Sequence, residues 1–260
     1  MRIRPPFKYY GGKYYVTPWI TSLFMPHNLY LEPFGGAASV LLNKDPSSKE
    51  IYGDLNQNIV NLMKFIQQYN LLTEELLKIQ CEESVFYEWK KKECQTDLES
   101  AIKTFVIHRM SRGGVGGSFS KSKRQYKGMS ENASSWISGI SNLKAVSERL
   151  KDIDIYHSSA MDLMNKFDGE KSLFYLDPPY MRKLRITPWS AYSVEMDDTQ
   201  HKELLEFSKQ CKAKIVISGY PSDFYDEQLS EWNRLSKSSW LHSGHKDVKK
   251  KAEECVWKNF

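Results

Sequence analysis

The run Leu173-Phe174-Tyr175-Leu176 is apolar at every position and stops at Asp177-Pro178-Pro179-Tyr180. A strand without polar alternation has no face to turn to water, so it is the kind buried in a parallel sheet covered by helices. Two prolines in a row fix φ and remove two backbone donors, so the strand cannot continue. This predicts a stiff turn that sets a carboxylate, fixed carbonyl acceptors and an aromatic ring together at a strand's carboxyl end. Such a turn suits a planar ligand group that carries an amine. A rigid surface turn with a half-buried tyrosine is the plainer alternative.

The rest of the chain is organised around that strand. Thr17-Pro18 predicts a short helix over 17–24, with proline at the first helical position. Leu29 to Glu32 reads as a strand running into Pro33-Phe34-Gly35-Gly36, followed by a small-residue helix over Ala37 to Leu42. Ile51 to Asp54 is a second strand, and a helix follows from Asn56 with Ile59, Leu62, Met63 and Ile66 on one face. Residues 71–150 read as mostly helical, from Ala101, Ile102, Phe105, Val106 and Met110 and then from Leu143, Val146 and Leu150. Gly113 to Ser118 interrupts them with glycines that no helix would carry. The α/β alternation resumes with a strand over Ile153 to His157, the apolar strand, a helix over Asp197 to Cys211 and a strand over Lys214 to Ser218. Trp232 to Trp240 and Cys255 to Phe260 read as a closing antiparallel pair. The expected architecture is an α/β domain of residues 1–70 and 151–260, with a helical insertion over 71–150.

Composition narrows the class. Hydrophobic residues make up 40% and charged residues 27%, which excludes a disordered tail, a fibre and a disulfide mini-scaffold. No apolar run reaches the ~18 residues of a membrane span. The opening Met1 to Phe7 lacks the apolar centre of a secretory signal. Cys81, Cys94, Cys211 and Cys255 show no C-x-x-C spacing, so neither a zinc site nor disulfides are expected, and a reducing cytoplasm fits. The net charge of +5 is mild, and only its clustering bears on a nucleic-acid partner.

Glu32-Pro33-Phe34-Gly35-Gly36-Ala37 lies between strand and helix, where glycines let a ligand approach the backbone. Asp54, at the end of the next strand, is placed to accept hydrogen bonds from ribose hydroxyls. The loop lacks a complete G-x-G-x-x-G, and Glu32 suits a positively charged ligand group better than a phosphate. Alone, these residues fit either a nucleoside site or a tight turn beside a solvated acid.

Taken together with Asp177 to Tyr180, they resemble the Dam-type (class alpha) N6-adenine-specific DNA methyltransferases over roughly residues 4–66 and 153–260. Phe7-Lys8-Tyr9-Tyr10-Gly11-Gly12-Lys13 is similar to the family's opening cofactor motif. Leu31 to Ala37 resembles its glycine-rich methionine-side loop, and Tyr52-Gly53-Asp54-Leu55-Asn56 its ribose-binding motif. Ser159-Ala160-Met161-Asp162-Leu163 sits where the family places an aspartate near the cofactor's adenine, and Asp177-Pro178-Pro179-Tyr180 matches the catalytic motif in full. Ile217 to Tyr220 and Glu254 to Trp257 resemble its late strands.

The resemblance implies a Rossmann-like methyltransferase sheet with a mostly helical DNA-recognition insertion. It implies S-adenosylmethionine as cofactor, held by Tyr9, Lys13, Glu32, Pro33, Phe34, Gly35, Asp54, Asp162 and Asp177, and no metal. Asp177, Pro178, Pro179 and Tyr180 would be catalytic: the Asp177 carboxylate and Pro178 carbonyl accept from the target amine while Tyr180 stacks on a flipped adenine. Double-stranded DNA is the implied partner, with room for a cognate restriction endonuclease.

Two basic sets suit the DNA. Ser100 to Ser130 holds no Asp or Glu, yet it carries Lys103, Arg109, Arg112, Lys121, Lys123, Arg124 and Lys127 among glycines. There Lys121, Lys123 and Arg124 are expected on phosphates, and Arg109 and Arg112 on base edges. Arg182, Lys183 and Arg185 follow Tyr180 and suit phosphates flanking the target, and Lys8 is expected to face DNA as well. The run Lys249 to Lys251 reads as a solvated turn. The stretch Arg109 to Ser120 departs from the R-Y-N-x-x-G-x-F-N-x-P-x-G of relatives that read GATC, so that target is not implied. Methylation of cytosine or of RNA adenine, a nucleotide-dependent oxidoreductase and an idle DNA-binding regulator are the rival readings.

Overall fold

The structure is a computed structural model that describes residues 2–122, 124–126, 128–184, 194–240 and 251–260. In chain order it forms α1 (Thr17–Ser22), β1 (Leu29–Glu32), β2 (Lys49–Asp54), α2 (Gln57–Gln68), α3 (Asn70–Leu77), α4 (Glu83–Lys91) and α5 (Asp97–Met110). A small hairpin of β3 (Gln125–Tyr126) and β4 (Met129–Ser130) leads into α6 (Glu131–Leu150) and β5 (Asp154–His157). Then come α7 (Ala160–Phe167), β6 (Ser172–Leu176), α8 (Asp198–Gln210), β7 (Lys214–Gly219), α9 (Asp223–Gln228), β8 (Asn233–Trp240) and β9 (Lys251–Lys258).

The chain packs as two compact units. The first comprises Met1–Thr17, Gly36–Lys44 and Asn56–His157, and the second Pro18–Gly35, Asp45–Leu55 and Ser158–Phe260. The whole of 71–150 lies in the first unit, together with the opening motif and α2.

In the second unit β1, β2, β6 and β7 are parallel, in the order β2-β1-β6-β7, and β9 runs antiparallel between β7 and β8. All five residues of β6 are buried, as its apolar run requires. The chain winds from β1 outward to β2 and from β6 outward to β7, so the winding reverses between β1 and β6. In open α/β sheets that reversal opens a crevice at the strands' carboxyl ends, where ligands bind. Asp168 accepts from the backbone N–H groups of Lys212 and Ala213 at 3.0 and 2.9 Å and fixes the entry into β7. A capping box between Asp197 and Gln200 starts α8.

In the first unit α2 packs on α5 and α6. Ile59, Leu62, Met63 and Ile66 are fully buried, as the helical spacing predicts. Phe105 of α5 meets Trp136 of α6 edge-on at 5.3 Å. The Asn61 amide donates to the Asp97 carbonyl at 2.7 Å, and Gln67 donates to the carbonyls of Leu150 and Ile153 at 2.7 and 2.9 Å. These bonds tie α2 to the start of α5 and to the connection between α6 and β5.

Ala37 to Leu42 does not form the expected helix; it is a series of turns. Gly36 and Ala38 have φ of +46° and +55°, which no right-handed helix accommodates. The carbonyls of Ser39 and Leu41 accept instead from the side chains of Asn43 and Arg149. Helices α7 and α9 and the β3–β4 hairpin were not predicted.

Candidate active site

Three strand ends of the second unit, those of β1, β2 and β6, carry predicted residues. Glu32 ends β1 and is 3% exposed; Tyr30 donates its hydroxyl to Glu32 Oε2 at 2.7 Å. Burial and the neighbouring Glu32 push the Tyr30 phenol well above its ordinary range, so it stays a donor. Asp54 ends β2 at 9% exposure, and its carbonyl accepts from Ser158 N–H at 3.4 Å. The Gly35 N–H donates to the Gly53 carbonyl at 2.8 Å, tying the loop after β1 back onto β2. Both glycines are required by packing. A Cβ on Gly35 would lie 2.1 Å from the Tyr52 ring, and one on Gly53 would lie 2.2 Å from Leu163. Pro33 is buried and Phe34 is half-buried.

Asp162 sits in the first turn of α7 and is exposed. It accepts from the Ser159 hydroxyl at 2.6 Å, while its own N–H donates to Ser159 Oγ at 3.2 Å. That reciprocal cap holds the start of α7, from which Leu163 covers Gly53.

Asp177 leaves β6 half-buried. Its Oδ1 accepts from Ser218 Oγ of β7 at 3.1 Å, and Ser218 Oγ lies 2.8 Å from the Tyr175 hydroxyl. Tyr180 is 6% exposed, donates its hydroxyl to Glu254 of β9 at 2.8 Å and meets the Tyr220 ring edge-on at 4.4 Å. Ser218, Tyr175, Glu254 and Tyr220 were not among the predicted site residues. The signal available was a serine within the apolar run of β7 and a glutamate directly before the apolar Cys255-Val256-Trp257 of β9. Just beyond, Arg182 Nε lies 4.0 Å from Glu195, and the Lys183 ammonium lies 3.4 Å from Asp198. Arg185 lies outside the described residues.

In the first unit Lys13 is 4% exposed and donates to the Gly11 carbonyl at 2.8 Å, while its own carbonyl accepts from the Thr17 hydroxyl. Tyr9 lies against Gly36, where a Cβ would come within 2.8 Å of its ring. The loop after α5 is tied rather than open: Arg112 N–H donates to Ser118 O, Ser120 N–H to Met110 O and Gly116 N–H to Ser111 Oγ. Gly113, Gly114 and Gly116 all have positive φ. A Cβ on Gly114 would lie 2.5 Å from the Lys8 carbonyl, so the loop is seated on Lys8. His108 Nδ1 lies 2.8 Å from the Gly114 carbonyl, and burial lowers the His108 pKa below its ordinary value. Burial and the neighbouring Arg109 likewise lower Lys8.

Of the expected DNA contacts, Arg112 and Arg124 are exposed, and Lys121 pairs with Glu83 at 2.8 Å on the surface. Arg109 does not extend from the helix end as expected. Its guanidinium is folded against α6, donating to the Ser135 carbonyl and packing on Gly139. Lys123 and Lys127 lie outside the described residues, as do Lys249 and Lys250. Among the described residues no cluster of metal-ligating side chains occurs, and no helix is long and apolar enough to cross a membrane.

A parallel sheet that reverses its winding beside buried strand-end acids, glycine turns and a fixed Asp-Pro-Pro-Tyr corner defines a Rossmann-like methyltransferase. Residues 9–248 match the D12 class N6 adenine-specific DNA methyltransferase family, and the chain belongs to that family. It is 26% identical over 251 residues to the DNA adenine methylase of Salmonella typhi, covering 88% of this chain and 84% of that protein. The DNA adenine methylase of Escherichia coli is 26% identical over 252 residues with the same coverage. Among solved structures, an rRNA methylase from Streptococcus thermophilus overlays with a TM-score of 0.33 at 8% identity, over 99% of this chain and 98% of that one. That likeness is too loose to bear on the fold. The reaction of this chain is methyl transfer to adenine in DNA.

Proposed function

We propose that the methyl donor is S-adenosylmethionine and the acceptor the exocyclic amine of an adenine flipped out of duplex DNA. The second unit's residues fit such a donor. Buried carboxylates at Glu32 and Asp54 end adjacent parallel strands, and neither Gly35 in the loop after β1 nor Gly53 within β2 leaves room for a Cβ. Glu32 suits the cationic amino-acid end, Asp54 the ribose hydroxyls, and Pro33, Phe34 and Asp162 the remainder. The family resemblance assigns Tyr9 and Lys13 to the same donor. When bound, S-adenosylmethionine supplies a methyl group on a sulfonium, already activated for transfer.

The observation that carries the reading is Asp177 at the winding reversal, held by Ser218. Its carboxylate and the Pro178 carbonyl accept from the target amine. This draws the nitrogen toward tetrahedral geometry and frees its lone pair for in-line attack. Tyr180 and Pro179 complete the pocket wall. Tyr180 cannot swing freely, because Glu254 holds its hydroxyl and Tyr220 its ring. Base flipping is required because an amine inside the duplex cannot reach the donor. Residues 71–150, with Lys8, Arg112, Lys121, Lys123 and Arg124, hold the DNA and choose the target; Arg182 and Lys183 flank the flipped nucleotide. The enzyme works in the cytoplasm, and a cognate restriction endonuclease is a compatible partner.

Expression in a methylation-free host, followed by genome-wide mapping of modified bases, tests this directly. Methylated adenine in one recurring DNA sequence is expected. Methylated cytosine, or modification confined to RNA, would overturn the substrate; no modification at all would favour an idle DNA-binding regulator.

A further inference from the structure

A cavity of about 370 Å³ lies in the first unit, lined by Arg4, Arg109, Arg124, Ser134, Ser138 and Asn142 among others. Ser134, Ser138 and Asn142 recur at every fourth position of α6 and so share one face of that helix. Arg109 forms its inner wall. Gly139 lets the guanidinium lie flat on α6, because a Cβ there would come within 2.5 Å of it. One Nη donates to the backbone carbonyl of Ser135, and Nε is buried with no hydrogen-bond partner.

Among the described residues no carboxylate forms an ion pair with Arg109, Arg4 or Arg124. The one acid on the lining, Glu131, takes the Ser122 hydroxyl instead. A guanidinium withdrawn from water without a counter-charge is costly, and the neighbouring Arg4 guanidinium raises the cost. An anion seated among them reverses both terms. Planar N–H donors around a hydroxyl-lined cavity match the tetrahedral oxygens of a phosphate.

We infer that this cavity seats one backbone phosphodiester of the bound DNA, gripped by Arg109, Arg4 and Arg124 with the Ser138 hydroxyl. The inference rests on the reading that this chain acts on duplex DNA. It moves Arg109 from base reading to anchoring, and it adds Arg4 and Ser138, which no motif marked. A phosphate fixed here sets the register of the duplex on the helical unit and carries no sequence preference of its own.

The test uses the full chain, a duplex carrying its mapped target, and the variants Arg109→Gln and Ser138→Asp. Ser138 is exposed, so the second variant keeps the test open if the first fails to fold. Each variant is expected to lower the slope of log affinity against log salt by about 0.9, the value for one phosphate, and to weaken binding roughly tenfold. A scan of single neutral methylphosphonates along the duplex locates the contact. One position should cost the wild type roughly tenfold and cost either variant nothing further. The modified sequence should stay the same. An unchanged slope in folded Ser138→Asp protein, or no coupled methylphosphonate position, overturns the inference, as does an altered target sequence. If inorganic phosphate raises the wild-type Tm but not that of Ser138→Asp, and no methylphosphonate position couples, the cavity takes free phosphate and not DNA. Failure of the wild type to bind duplex or transfer methyl groups would instead overturn the functional reading itself.

Discussion

Ser218 gives its single hydroxyl proton to Asp177 Oδ1 at 3.1 Å, so the proton between Ser218 and Tyr175, 2.8 Å apart, belongs to Tyr175. Burial and the Asp177 charge hold the Tyr175 phenol far above its ordinary pKa, which keeps it a donor. The carboxylate is thereby aimed by a relay that starts in the sheet core. Removing Asp177 (Asp177→Ala) should abolish methyl transfer and leave donor affinity within a few-fold. Ser218→Ala should lower kcat about tenfold with donor affinity unchanged, and should cost about 1–3 kcal/mol of stability by stranding the Tyr175 hydroxyl. Adding Tyr175→Phe should restore the Tm but not kcat. Single-turnover kinetics beside thermal melts would separate the two effects, and normal kcat in Ser218→Ala would dismiss the relay.

Asp54 is tested through the donor alone. Losing hydrogen bonds between a carboxylate and ribose hydroxyls should cost about 1.5–3 kcal/mol, or roughly ten- to a hundredfold in affinity. Calorimetry of Asp54→Ala with S-adenosylmethionine should show that loss, and DNA affinity should change much less. An unaltered donor Kd would refute the nucleoside site.

Gly35→Ala should unfold the site from within, because its Cβ would fall 2.1 Å from the Tyr52 ring. Overpacking of that kind costs about 1–3 kcal/mol. A reduced Tm and weaker donor binding are expected, whereas Gly117→Ala, where a Cβ meets nothing within 4 Å, should leave the Tm where it is. Equal melting of the two variants would contradict the cradle.

His108 gives the loop a pH dependence of definite sign. Its folded pKa is depressed by burial, so below the ordinary imidazole value of about 6.5 the unfolded chain binds the extra proton. Stability is therefore full above that pH and falls as pH drops from it toward the lowered folded value. Thermal melts of wild type and His108→Gln between pH 8 and 5.5 should converge or cross as the wild type loses stability. A wild-type advantage that grows on acidification would reverse the sign and refute the burial effect.

Arg112→Ala should relax which sequence is methylated while the salt slope of DNA binding stays near that of the wild type, since base contacts release few counterions. Mapping of modified sites would show an unchanged target if Arg112 only touches backbone.

The amino-acid sequence by itself determined the elements whose signals are local. The unbroken apolar run ended by two prolines made β6 and its corner, and the spacing of Ile59, Leu62, Met63 and Ile66 made α2. The acids at Glu32 and Asp54 were legible because each ends a strand that the pattern already marked. Only the tertiary structure decided who faces whom. Asp177 meets Ser218, 41 residues on, because Leu176 pairs with Ile217 in the β6–β7 register, and Tyr180 meets Glu254, 74 residues on, because β9 inserts beside β7. Register between strands is set by the summed packing of whole faces, which no single segment displays. The same reason hid the fate of Arg109. Its place at a helix end suggested an outstretched cation, but the absence of a side chain at Gly139 on another helix opened a seat for it. The turns over 37–42 were hidden in part for the same reason: Asn43 takes the Ser39 carbonyl from within the segment's own neighbourhood, but the Leu41 carbonyl is taken by Arg149, 108 residues on.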